Sequence, residues 1–112
     1  MLWFWKVSSD VVIEFEDGAI KAPPDRQPDF FMDIRPFHRI LDNGLSHVAS
    51  EVGLSFNSDV LLEAESCEKI LDVLLKIDTE LNPDGNQTEN RAMVEFFNQA
   101  VSRNLRVVAY CD

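Results

Sequence analysis

Apolar residues alternate with polar ones near the start of the chain and recur every three or four positions through its middle. Period two marks strands and period three to four marks helices, so strands come first and helices follow. Leu2–Val7 is aromatic and aliphatic and predicts a first strand, closed by the turn residues Ser8, Ser9 and Asp10. Over 11–16, Val11, Ile13 and Phe15 alternate with Val12, Glu14 and Glu16, placing one set on a core and the other toward water. Asp17-Gly18 has the chemistry of a two-residue hairpin turn, and a third strand over 19–22 completes an N-terminal meander. Pro23, Pro24, Asp25 and Pro28 then interrupt regular structure. Residues 23–35 are expected to form an irregular connection within one domain, with Phe30, Phe31 and Met32 tucked into the core.

Pro36 suits the first turn of a helix. Behind it, Phe37, Ile40, Leu41, Leu45, Val48, Ala49 and Val52 share one apolar face, and Gly53 is a natural stop. Gly44 within this helix costs about 1 kcal/mol relative to alanine and points to close packing against another element. Val60 to Leu62 is either a brief strand or the lead-in to the next helix. From about Glu63 a second helical stripe holds Cys67, Ile70, Leu71, Leu74, Ile77 and Leu81, and Asn82-Pro83-Asp84-Gly85-Asn86 ends it. Thr88 is a candidate cap for a third helix carrying Met93, Phe96, Phe97, Ala100 and Val101, with Glu89 near its positive end and Asn104 closing it. Residues 105–111 predict a last strand, and the unbroken run Val107 to Tyr110 suits one covered on both faces. The expected fold class is α+β: a single domain over 1–112, with a small, mainly antiparallel sheet (N-terminal meander plus C-terminal strand) covered by three helices.

Composition narrows the possibilities. The 112 residues hold 20 acids against 10 Lys and Arg, for a net charge of -10. With 46% hydrophobic residues, that charge does not signal disorder. No apolar run approaches the ~20 residues that span a bilayer, and no secretory signal is visible. The acidic balance argues against nucleic acid or an anionic membrane as ligand, since phosphate binding needs clustered Lys and Arg. Two cysteines, Cys67 and Cys111, suit a reducing cytoplasm rather than a disulfide scaffold.

Charge is also concentrated. Residues 51–90 carry ten acids against Lys69 and Lys76, a net of -8. Glu65, Glu68 and Asp72, spaced by three and four, share the helix face opposite Cys67, Leu71 and Leu74. Such a face either attracts a basic partner and speeds its association, or simply keeps the protein in solution. Chemistry is scarcer. Asp78, Glu80, Asn82, Asp84 and Glu89 span about the 12 residues of a calcium-binding loop, yet Pro83 stands where its sharp turn needs glycine. His38 and His47, nine residues apart on a polar helix side, cannot chelate one metal from that helix, and no zinc spacing accompanies them. No phosphate loop or nucleophile motif is present, so neither metal nor cofactor is expected and an enzyme ranks below a binding protein. Trp3 and Trp5 share one strand face, which suits a core, or else a sheet-edge anchor for a partner.

In size, charge, strand-helix makeup and its terminal Arg-Val-Val-Ala-Tyr-Cys-Asp segment, the chain resembles the small acidic immunity proteins of bacterial toxin systems, contact-dependent inhibition systems included. The resemblance is one of general character rather than of a diagnostic motif. Barstar-type inhibitors similarly present acidic helix residues to a basic nuclease cleft, in a different strand order. What the resemblance implies is a tight one-to-one complex that blocks a cognate basic toxin domain, often a nuclease, in the producing cell's cytoplasm. Glu65, Glu68 and Asp72 would then meet Lys or Arg of the toxin, with Glu63, Asp78 and Glu80 at the rim. Two other classes stay open: an adaptor or secretion chaperone binding through apolar surface, and a small enzyme using clustered acids or Cys111 with a histidine. Monomer and dimer remain equally open.

Overall fold

The structure, a computed structural model, describes residues 1–81 and 88–111. In chain order the elements are β1 (Leu2–Val7), β2 (Phe15–Glu16), β3 (Ala19–Ile20), β4 (Phe30–Met32), α1 (Ile34–Ile40), a π-helical segment Leu41–Leu45, α2 (Ser46–Val52), β5 (Val60–Leu62), α3 (Ala64–Leu81), α4 (Thr88–Ser102) and β6 (Arg106–Cys111). The fold is α+β, built on a four-stranded sheet of order β4-β1-β6-β5 in which every pairing is antiparallel. The first and last strands are therefore neighbours at its centre, with Trp3 opposite Tyr110 and Trp5 opposite Val108.

The pleat divides the side chains between two cores. Leu2 and Phe4 join Met32, Leu62, Val107 and Ala109 on the face covered by the helices. Trp5, Val7 and Val108 face the other way, where Ile20 and the half-buried Ile13 cover them. This accounts for the consecutive apolar run of β6: Val107, Val108 and Ala109 are all fully buried, alternately on the two faces. Phe4 lies at the middle of an aromatic cluster, with ring centroids 5.5 Å from Phe30, 5.7 Å from Phe96 and 6.1 Å from Phe97.

The N-terminal strands depart from a continuous meander. β2 and β3 pair only with each other, because both flanks of β1 are occupied by β4 and β6. Residues 11–14 form no strand, and Val12 is 80% exposed. The hairpin crosses the back of the sheet, held by two polar tethers. Arg106 Nη2 donates to the carbonyls of Ser8 and Val11, and the Asp59 carboxylate accepts from the backbone N–H of Ile20 (2.8 Å) and of Cys111 (2.7 Å). Trp5 Nε1 donates to the Arg26 carbonyl at 3.0 Å and pins the proline-rich connection to the same face.

That connection is more ordered than its prolines suggest. Residues 30–32 form an edge strand, with Met32 buried as expected but Phe31 59% exposed. Asp29 shapes the approach: it accepts from the Lys6 N–H (2.8 Å) and from Arg26 Nη1 (2.9 Å). Partial burial works against its charged form, but the Arg26 and Lys6 donors outweigh this and hold its carboxyl below the usual range.

The first helix begins at Ile34, two residues before Pro36, because Asp33 caps it by accepting from the Ile34 N–H. Pro36 still falls in the first turn, where its missing donor costs nothing. The expected continuous helix breaks at Gly44, whose φ of +138° and ψ of -5° are not helical. A Cβ there would sit 3.5 Å from the Ile77 side chain, ordinary contact, so backbone conformation rather than crowding demands glycine. Gly53 and Asn104 terminate their helices with positive φ, as expected.

Candidate functional site

The candidate surface is the outer face of α3, where Glu65, Glu68 and Asp72 are exposed together with Lys69 and Lys76. Its buried stripe is Cys67, Ile70, Leu71, Leu74 and Ile77, packed into the helix-side core. The 3.6-residue period turns Glu65, Glu68 and Asp72 to the opposite side, where all three are exposed. Glu63 precedes the helix, is exposed as well, and accepts the Cys67 N–H at its carbonyl (3.0 Å). None of these four carboxylates has an ion-pair partner among the described residues. Lys69 lies on the same face but is drawn to Glu51 of α2, 3.2 Å away.

The remaining proposed residues divide. Asp78 is half-buried and held inside the molecule: it accepts from Asn90 Nδ2 at 3.3 Å and lies 3.9 Å from Arg91 Nε. Asn90, only 1% exposed at the start of α4, explains why that carboxylate turns inward. The Glu80 side chain, and with it most of the loop Glu80, Asn82, Asp84 and Glu89, lies outside the described residues, as does the Thr88 cap. Asp59, counted in the acidic block, is a structural latch rather than part of this face. Leu75, 46% exposed beside Asp72, belongs to the face as well; its absence from the buried stripe is the sequence signal that points to it.

Elsewhere the polar chemistry is dispersed. His38 and His47 are both exposed, and no group of His, Cys, Asp and Glu among the described residues could hold a metal ion. A cleft of about 300 Å³ lies between α2 and the loop after it, with His38, Ser46, Ser50 and Phe56 in its lining. Cys111, half-buried, donates its thiol to the Phe56 carbonyl, and both cysteines are free. Burial pushes the Cys67 thiol up to about 12, with the Glu63 charge adding to the shift, so this thiol is protonated and unreactive at neutral pH.

That shift has a stability consequence. A thiol that holds its proton more tightly in the native state than at its ordinary value of 9.0 contributes fully below that pH. Its contribution is then lost as pH rises from about 9 toward 12. Urea unfolding at pH 8, 9.5 and 11 should show stability declining more steeply in the natural protein than in Cys67→Ala. Parallel slopes would mean that Cys67 ionises as easily folded as unfolded.

No protein-family model matches the chain, and no curated protein or solved structure is detectably similar to it.

Proposed function

We propose that this is a non-catalytic immunity protein, acting in the cytoplasm of the cell that makes it by covering a basic toxin domain. The observation that carries the proposal is the set of four exposed carboxylates at the start and along the outer face of α3, none in an ion pair with a described cation although Lys69 and Lys76 share that face. Like charges spaced by three and four on one helix weaken it by a few tenths of a kcal/mol per pair. A negative field that Lys69 and Lys76 offset only in part is of most use to an incoming cationic surface, whose association it accelerates. Glu65, Glu68 and Asp72 form the centre of this surface and Glu63 its rim, with Leu75 adding apolar contact. Asp78 contributes to the field while remaining bound to Asn90 and Arg91.

The test is association with a candidate toxin domain encoded beside this chain, measured as a function of salt. Replacing Glu65→Gln, Glu68→Gln and Asp72→Asn together should slow association by about tenfold at low salt and flatten its ionic-strength dependence. A rate and salt slope identical to the natural protein's would remove these residues from the interface. The lack of a toxin gene beside this one would count against the immunity role itself.

A further inference from the structure

We infer that the open edge of β4 is a docking site for an extended, strand-forming segment of a partner protein, with apolar residues at its centre and a Lys or Arg at its ends. This surface is separate from the α3 face, and it stands on different observations.

The first is backbone direction. The Lys6 N–H and C=O are used on the β4 side of β1, by Asp29 and by Arg26 Nη2. Even-numbered residues of β1 therefore point their peptide groups toward β4, and their partners Phe30 and Met32 point back. Phe31, opposite Trp3, must aim its own N–H and C=O outward, and no described strand pairs with that edge. The opposite edge strand, β5, differs: Asp59 beside it carries the β2–β3 hairpin.

The second is apolar surface at the same edge. A groove of about 410 Å³ runs along it, lined by Phe30, Met32, Pro36 and Ala92 with Asp33 among them. Phe31 packs tilted against Trp3 with ring centroids 5.8 Å apart yet stays 59% exposed, and Ile34 is 42% exposed. Proteins usually blunt a sheet edge that combines unpaired peptide groups with large apolar side chains. An added strand would place alternate side chains in the groove and beside Phe31.

The flanking charges choose the occupant. The strand reads Asp29-Phe30-Phe31-Met32-Asp33, apolar at the centre with a carboxylate at either end. Two copies pairing symmetrically about Phe31 would set Asp29 against Asp33 twice, between chains that each carry -10. A segment with cations at those positions converts both repulsions into attractions. Asp29 already meets Arg26, whereas Asp33 is exposed and has no cation partner among the described residues, so Asp33 gives the stronger discrimination.

The probe is the capped peptide Lys-Val-Ile-Val-Lys, titrated into the full-length ¹⁵N-labelled protein. Glu-Val-Ile-Val-Glu and Lys-Val-Pro-Val-Lys serve as controls. Amide shifts should centre on Phe31, Met32, Asp33 and Ala92, and the lysine peptide should bind at least tenfold more tightly than either control. Phe31→Pro removes the outward N–H together with the ring that packs on Trp3, and should weaken binding tenfold or more. Asp33→Asn keeps the helix cap and should erase most of the preference for lysine over glutamate. Should Phe31→Pro perturb the fold, Phe31→Lys blunts the edge instead and should give the same loss. Shifts that map to α3, and vanish with Glu65→Gln, Glu68→Gln and Asp72→Asn while surviving Phe31→Pro, would overturn the edge proposal and leave the α3 surface standing. Equal affinity for the two charged peptides would overturn it too. So would concentration-dependent dimerisation in sedimentation that Phe31→Pro abolishes, since the occupant would then be a second copy.

Discussion

Truncating Phe4 to alanine is expected to lower the unfolding free energy by about 3–5 kcal/mol, the range for deleting a fully buried aromatic ring. The side chain is entirely shielded from water and lies between β4 and α4, touching Phe30, Phe96 and Phe97. Neighbours on a strand and a long helix cannot all close the void, so the cavity adds to the lost transfer energy. For a domain whose total stability is about 5–15 kcal/mol, much of the folded population is at risk at moderate temperature. Equilibrium urea unfolding with near-ultraviolet circular dichroism reads the effect. Phe4→Leu, which fills most of the space, should recover the larger part. A midpoint for Phe4→Ala within experimental error of the natural protein's would mean that Phe4 is not central to the core.

The second large effect is expected at Asp59. Its carboxylate accepts two backbone N–H groups from segments far apart in sequence, Ile20 at 2.8 Å and Cys111 at 2.7 Å. Hydrogen bonds to a charged group are worth about 1.5–3 kcal/mol each, and partial exposure places this pair toward the lower end. Asp59→Ala should therefore cost about 3–4 kcal/mol and free the β2–β3 hairpin from the back of the sheet. Proteolysis within residues 8–25 should accelerate before global unfolding, and Trp5, under the hairpin, should become more solvent-accessible by fluorescence quenching. Asp59→Asn, which keeps one acceptor oxygen, should fall between the two. Unchanged cleavage kinetics in Asp59→Ala would show that Arg106 alone holds the segment through Ser8 and Val11.

Asp59 also marks a boundary in what a linear pattern can reveal. By composition it is one more acid in a strongly negative block, indistinguishable from Glu65 or Glu68. Only the approach of β3 and β6 to the same few ångströms turns it into a latch. Asp78 is similar: helical spacing cannot foresee that Asn90 and Arg91 return beside it on α4. Glu65, Glu68 and Asp72 were legible because their placement follows from the period of the helix that carries them.

The same distinction runs through the fold. Strict spacing identified the buried stripe of α3, and the unbroken apolar run identified β6 as covered on both faces. Each is a property of consecutive residues, and the core only had to accept it. Phe30–Met32 is expected to tuck into the core; pairing with β1 makes it a strand, which keeps Phe30 and Met32 against the core and turns Phe31 outward. Gly44 sits in a stripe that reads as one continuous helix, and the apolar spacing does not reveal that its backbone leaves the helical region there.

Local periodicity and turn residues thus sufficed for the α+β class, the buried stripe of α3 and the outward placement of Glu65, Glu68 and Asp72, because each is decided within a few residues along the chain. The order β4-β1-β6-β5, the diversion of the hairpin across the sheet, the recruitment of Asp59 and the open edge at Phe31 were decided only by tertiary structure. Each of those depends on which distant segments compete for the two flanks of β1, and no pattern of neighbouring residues encodes the outcome of that competition.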